Sequence, residues 1–155
     1  MTIDENSLAP DGSFEVSGGA RKAVADYRGS PLVLYFYPKD DTPGCTKEAQ
    51  EFTVLADDFA KARVAVVGIS KDTVARHDRF VGKYDLKVEL GSDSDGSLCD
   101  AFGVWIEKSL YGRKYMGIER ATFLIASDGK VVKIWHKVKV AGHAEAVLKA
   151  AQTLV

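Results

Sequence analysis

The chain has 155 residues, 46% of them hydrophobic, and a formal net charge of −1. That length fits one domain, residues 1–155, with enough apolar mass to bury a core without disulfide staples. Near-neutrality excludes an electrostatic nucleic-acid binder or a polybasic membrane protein, and the acidic start Met1–Asn6 lacks the regions of a signal peptide.

No apolar run approaches the length of a membrane span, so a soluble cytoplasmic protein is expected. Phe14 and Val16, between Asp11-Gly12 and Gly18-Gly19, predict a short edge hairpin near the start. Asp26–Ser30 is a turn leading into an apolar, β-branched and aromatic strand, Leu32–Tyr37, which stops at Pro38. Ala49, Phe52, Leu55, Ala56 and Phe59 recur at helical spacing and predict an amphipathic helix from about Thr46 to Phe59. Val64–Ser70 reads as a buried strand. Thr73–Tyr84 reads as a second helix with Val74, His77, Phe80, Val81 and Tyr84 along one side.

Further on, Gly91–Gly96 has the look of a calcium loop. Gly91 and Phe102 would occupy its first and twelfth ligand positions, which rules calcium out. Ser97–Gly103 allows one or two helical turns, and Glu107–Gly117 reads as a polar, glycine-containing loop. Arg120–Ala126 and Lys130–Trp135 form a hairpin across Ser127-Asp128-Gly129, and Gly142-His143 opens a final helix ending near Leu154. The basic stretch Lys130–Val140 nearly alternates, as suits a strand with one solvated face, and Trp105 and Trp135 read as packing residues. Strands alternating with helices, then a hairpin and a closing helix, imply an α/β fold. The expected form is a central mixed β-sheet flanked by helices with an N-terminal β-hairpin, the order of the thioredoxin-like fold.

Two cysteines, Cys45 and Cys99, are too few for a disulfide framework or a structural zinc site. His77, His136 and His143 form no metal-ligand spacing, so no metal or cofactor is expected. Cys45 stands apart because of its setting, Tyr35-Phe36-Tyr37-Pro38-Lys39-Asp40-Asp41-Thr42-Pro43-Gly44-Cys45. A strand, a short polar loop and then a cysteine at a helix start present the thiol to backbone N–H groups and a helix dipole, which favour thiolate. Thr42 adds a hydroxyl that can donate and accept, Pro38 and Pro43 stiffen the loop and remove two donors, and Gly44 permits close approach of a small substrate. Arg120, at the head of the buried strand, is the best candidate for a cationic partner. It also reads as a solvated strand-end charge or as an ion pair with Glu119, as most strand-flanking arginines do. Glu48, one turn beyond Cys45, either orients Arg120 or faces solvent.

The pattern Pro38-x-x-x-Thr42-x-x-Cys45 resembles the active-site motif of peroxiredoxins. With Tyr35–Pro38, Thr42–Thr46, Phe102-Gly103-Val104-Trp105 and Gly117–Ile125, the chain is similar over nearly its whole length to the PrxQ, or bacterioferritin comigratory protein, subfamily. The resemblance implies a thiol-dependent peroxidase with a thioredoxin-like fold, commonly a monomer. Cys45 would be the peroxidatic cysteine, Thr42 would orient the peroxide, Arg120 would stabilise the thiolate and the breaking O–O bond, and Pro38 would shield the sulfur. The Gly44 and Cys45 N–H groups would add donors for the substrate. The subfamily's two resolving positions are occupied here by Gln50 and Val81. Cys99 remains, either as a resolver or as a small apolar residue packed with Leu98 and Phe102.

The expectation is a one-cysteine cycle, with the sulfenic acid reduced by thioredoxin, glutaredoxin or a low-molecular-weight thiol. Three other chemistries compete with it. A thiol–disulfide oxidoreductase favours Cys-x-x-Cys, where this chain has Cys45-Thr46-Lys47-Glu48. A cysteine hydrolase needs a histidine base, and no histidine lies near the motif in sequence. A peroxide-sensing thiol switch would use the same sulfenate without turnover.

Overall fold

The computed structural model describes residues 3–154. The elements in chain order are β1 (Ser13–Glu15), β2 (Arg21–Ala23), β3 (Leu32–Phe36), α1 (Pro43–Val54), α2 (Ala56–Lys61), β4 (Ala65–Ser70), α3 (Val74–Tyr84), β5 (Glu89–Ser92) and α4 (Ser97–Ala101). They are followed by β6 (Trp105–Leu110), β7 (Arg113–Ile118), β8 (Ala121–Ile125), β9 (Val131–Trp135) and α5 (His143–Gln152). Seven strands form one mixed sheet in the order β2-β1-β5-β4-β3-β8-β9, with β6 and β7 paired separately. β3, β4 and β5 run parallel, and β8 closes on β3 antiparallel. This is the expected mixed sheet with an N-terminal hairpin.

Every residue of β3 is buried, so its pleat divides the interior in two. Leu32, Leu34 and Phe36 face one core with Phe14, Phe123, Leu98, Cys99 and Phe102. Val33, Tyr35 and Tyr37 face the other with Cys45, Phe52, Phe59, Phe80, Val147 and Leu148. Each such side chain removed from water contributes about 1.5–3 kcal/mol. The two cysteines therefore lie on opposite faces of the sheet.

Three expectations need correcting. The helix predicted from Thr46 to Phe59 starts at Pro43 and breaks at Leu55 (φ −96°, ψ 7°). Thr53 stands just before the break: its hydroxyl donates to the Ala49 carbonyl at 2.7 Å and accepts the Lys87 N–H at 3.0 Å, and such back-bonding favours a bend in a helix. The segment Glu107–Gly117, read as a loop, is most of a hairpin whose tip residues Tyr111 and Gly112 both have positive φ (51° and 77°), the two-residue turn that matches strand twist. Its residues are mostly exposed on both faces, so it carries no clear apolar alternation. The strand β5 adds a third correction, because the glycine-containing stretch that holds it gives no strand pattern. Its Gly91 is required, since a Cβ there would lie 2.5 Å from Phe14 Cδ2 and 2.7 Å from Ile69 Cδ1. The carboxylates of the rejected calcium loop serve α4: Asp93 accepts the Leu98 and Cys99 N–H groups at 3.0 and 2.8 Å.

His143 opens α5 and packs edge-on against Phe52 and Trp135, with Nε2 2.8 Å from Thr122 Oγ1. Burial, then the Arg120 charge, lowers its pKa from 6.5 to about 4. The folded value lies below the unfolded one, so the neutral ring stabilises the fold above pH 6.5, and this stability is lost as pH falls through about 4. A shift of that size corresponds to at most about 3 kcal/mol. His143→Gln, which can still bond Thr122, is expected to flatten the acid limb of urea stability between about pH 6.5 and pH 4 by about 1–3 kcal/mol. Parallel limbs for the two proteins would refute this.

Candidate active site

β3 hands over to α1 through the loop that carries Pro38, Thr42, Gly44 and Cys45. Tyr37 N–H still bonds the Ile69 carbonyl at 3.1 Å, and the exposed Pro38 then ends the pairing. Thr42 is the N-cap in extended geometry, Pro43 takes the first helical position, and the Thr46 N–H closes the first turn onto the Thr42 carbonyl at 2.8 Å. Cys45 is thus the third helical residue, 2% exposed, and the Gly44 and Cys45 N–H groups belong to the first turn, which has no intrahelical acceptors. The Thr42 hydroxyl donates to the Lys39 carbonyl at 2.8 Å, which leaves its lone pairs as acceptors.

The register Phe36↔Ala121 places Arg120 beside the end of β3, alongside this loop. Its guanidinium bridges two acidic side chains. Nη2 donates to Cys45 Sγ at 3.3 Å and Nη1 to Glu48 Oε1 at 2.7 Å. This decides both open questions. Arg120 pairs with neither solvent nor Glu119, which bonds His136 instead at 2.8 Å. Glu48 faces Arg120 and is 1% exposed. A Cβ on Gly44 would sit 3.1 Å from Arg120 Nη2, a tight contact to which the guanidinium would have to yield. The close neighbour of Gly44 is therefore the guanidinium.

Burial works against the Arg120 charge, but Glu48 and then Cys45 outweigh it and hold its pKa above the ordinary value. Glu48 behaves differently. Burial dominates, Arg120 only partly opposes it, and Glu51 adds to it, so the carboxyl is pushed up to about 7. One contact thus favours the cation yet leaves the anion disfavoured, because the carboxylate is the deeper of the two, with side-chain exposures of 17% for Arg120 and 1% for Glu48.

Lys108, on the weakly patterned strand β6, also belongs to the site, and nothing in its sequence neighbourhood marks it. Burial first, then the Arg120 charge, lowers its pKa while Cys45 pulls the other way, so its ammonium lies within the field of the site. Gly117, its neighbour on β7, leaves room for the lysine stem, whose Cδ would be 3.2 Å from a Cβ there. Cys99 is fully buried in the opposite core, and burial followed by Asp93 raises its thiol well above the ordinary range. Gln50 is exposed on α1 and Val81 half-buried on α3.

The loop is fastened from behind. Asp40 Oδ2 lies 2.6 Å from His77 Nδ1, Asp40 Oδ1 accepts from the Tyr37 hydroxyl at 2.5 Å, and the Asp40 N–H donates to Asp72 Oδ2 at 2.8 Å. The other ring nitrogen of His77 meets the Gly91 carbonyl at 3.0 Å. Asp40, Asp72 and His77 bring potential metal-ligating atoms within 4.8 Å of one another, but those atoms are engaged in this hydrogen-bond network. Outside it, Asp41 accepts from Lys83 at 2.9 Å and Tyr84 at 2.6 Å. No helix among the described residues is long and apolar enough to cross a membrane.

Residues 6–134 match the profile of the AhpC/TSA family. The chain is 49% identical over 137 residues to peroxiredoxin Bcp of Xanthomonas campestris, covering 88% of this chain and 86% of the relative. It is 44% identical over 154 residues to peroxiredoxin Bcp of Bacillus subtilis, covering 99% and 96%. Among solved structures, a cysteine-to-serine variant of Xylella fastidiosa PrxQ superposes with a TM-score of 0.92 at 40% identity, covering 99% of this chain and 98% of the other. Another, of the bacterioferritin comigratory protein of Xanthomonas campestris, concerns the alkyl peroxide reduction activity of that protein; it superposes with a TM-score of 0.86 at 47% identity, covering 91% and 90%.

Proposed function

The chain belongs to the AhpC/TSA family, among its PrxQ or Bcp peroxiredoxins with a thioredoxin-like fold, and from that premise we propose that Cys45 is its peroxidatic cysteine. The observation that carries this reading is the Arg120 guanidinium, 3.3 Å from the Cys45 sulfur and held in place by Glu48. The substrates are hydrogen peroxide and organic hydroperoxides, the latter supported by the alkyl peroxide reduction of the Xanthomonas campestris relative. The substrate O–H donates to the free lone pairs of Thr42, and the Cys45 thiolate attacks the near oxygen. Arg120 and the Gly44 and Cys45 N–H groups stabilise charge passing to the far oxygen, while Pro38 screens the sulfur at the rim. Sulfenic acid forms on Cys45, and water or alcohol leaves.

The cycle is a one-cysteine cycle. Its support is the sheet that separates Cys45 from Cys99, together with Gln50 and Val81 at the subfamily's resolving positions. A disulfide needs its two Cα atoms within about 7 Å, which two cores on opposite faces of a sheet do not provide without unfolding. An external thiol, either thioredoxin, glutaredoxin or a small molecule, reduces the sulfenate, and excess peroxide drives it on to sulfinic acid. After a single equivalent of peroxide, intact mass spectrometry should show a persistent gain of one oxygen. Quantitative loss of two hydrogens, mapped to a Cys45–Cys99 bond, would sink the one-cysteine cycle.

A further inference from the structure

Cys45 and Glu48 share one guanidinium. They are 2% and 1% exposed, and Arg120 holds the sulfur at 3.3 Å and the carboxyl oxygen Oε1 at 2.7 Å. A thiolate beside a carboxylate would set two negative charges against one positive charge with almost no water to screen them. Acidic groups sharing such a site do not readily ionise together. The second carboxyl oxygen, Glu48 Oε2, is buried and has no hydrogen-bond partner among the described residues. That oxygen is where a proton belongs.

Among the described residues the surroundings supply no further contact cation. Glu51 on α1 disfavours a charge on Glu48. From β3 comes the Tyr35 hydroxyl, also buried and unpartnered, raised first by burial and then by the charges of Glu48 and Cys45. From α5 comes His143, held neutral by burial and Arg120. Lys108 on β6 acts on Arg120 and Cys45.

We infer that Glu48 carries the proton of this cluster while Cys45 is a thiolate, and that this proton goes to the leaving oxygen when Cys45 is oxidised. The inference rests on the peroxidatic reading of Cys45. A sulfur lone pair forms the S–O bond to the near peroxide oxygen, which keeps its hydrogen. The O–O bond breaks and its electron pair leaves with the far oxygen as alkoxide. Sulfur is oxidised by two electrons and the peroxide is reduced by two. The alkoxide takes the Glu48 proton and departs as alcohol. The sulfenic acid is neutral, so Arg120 is left with one anion, the Glu48 carboxylate, and the charges balance. One guanidinium touches both Cys45 and Glu48, so the carboxyl group and the reacting sulfur lie against the same side chain. The upward shift of Glu48 to about 7 agrees with this arrangement.

Proton counting tests it. Reduced protein is mixed with one equivalent of an alkyl hydroperoxide in weak buffer containing a pH indicator, while the ultraviolet absorbance of the thiolate is followed in the same sample. At about pH 8 the wild type should lose its thiolate signal with almost no proton uptake, because the proton comes from within and the carboxylate left beside the neutral sulfenic acid, at about 7, does not reclaim one from solvent. Glu48→Gln still offers Arg120 an oxygen but has no acidic proton, so its uptake should rise to about one proton per Cys45 oxidised. In the wild type alone, uptake should fall from about one to near zero as pH rises through about 7, which decides the matter even if the variant does not fold. A full proton taken up by the wild type at about pH 8 overturns the inference, as does near-zero uptake by a Glu48→Gln variant whose thiolate is consumed. A thiolate that peroxide does not consume at all overturns the reading of Cys45 instead.

Discussion

Replacing Arg120 by Met should lower kcat/KM for peroxide by about 10²–10³-fold, the usual cost of removing one preorganised donor from a charge-developing transition state. The donor at stake is Nη2, 3.3 Å from the sulfur, and no other side chain among the described residues donates to Cys45 at hydrogen-bond distance. Lysine is no substitute, because one ammonium cannot present two parallel donors to Glu48 and Cys45 at once. The same substitution strips the partner from a carboxyl that is 1% exposed. Breaking a buried ion pair from one side costs about 3–5 kcal/mol when the survivor stays charged. Here the survivor has another course, since Glu48 sits at about 7 even with Arg120 present and protonates readily once the arginine is gone. The stability loss of Arg120→Met should therefore be clearly smaller at about pH 6 than at about pH 8, whereas the loss of peroxidase activity persists at both. Urea titrations and peroxide-consumption rates at the two pH values check this. A kcat/KM within about tenfold of wild type at both would remove Arg120 from the chemistry.

The chain announces its nucleophile more plainly than the nucleophile's surroundings. Leu32–Tyr37 followed by Pro38 and a polar loop identifies a buried strand that ends abruptly, and Pro43 and Gly44 mark the helix start that carries Cys45. Those are local signals, and local signals survive in one dimension. Glu48 was ambiguous because the helix turn that faces Arg120 could equally face water. The answer depends on the β3–β8 register, which joins residues 72 positions apart. Cys99 illustrates the same limit. Its packing with Leu98 and Phe102 could be read from spacing, but which face of the sheet α4 covers is a property of the chain crossing and not of the segment itself. The β6–β7 hairpin was lost for a different reason. Its tip is Tyr111-Gly112, without the Asn or Asp that usually leads such a turn, and its strands lie largely in solvent. Lys108 was lost with it.

His77 reads in sequence as one more residue on the buried side of α3, yet it holds the active-site loop from behind. Its Nε2 faces the Gly91 carbonyl, which only accepts, so that nitrogen carries a hydrogen, and Nδ1 lies 2.6 Å from the Asp40 carboxylate. Asp40 lies five residues before Cys45 and also receives the Tyr37 hydroxyl, so the end of β3, the loop and α3 meet at one carboxylate. His77→Ala would leave Asp40 buried with a single side-chain donor, and the expected loss of stability is about 3–5 kcal/mol. Asp40→Asn should cost less, since an amide has no charge to strand. A double-mutant cycle over the two positions should then return a coupling of at least about 1.5 kcal/mol; a value near zero would mean that the 2.6 Å contact holds nothing together. Stability alone would not separate a clamp from ordinary core packing. The discriminating quantity is the rate at which peroxide oxidises Cys45, measured where the variant is still fully folded. A displaced Lys39–Pro43 loop misplaces Thr42 and the first turn of α1, and positional errors of that kind cost about 10- to 100-fold. Packing alone would leave the rate unchanged. A conservative His77→Gln variant keeps a donor for the carboxylate and should recover part of the rate, because what the loop requires is a hydrogen bond to Asp40 from α3.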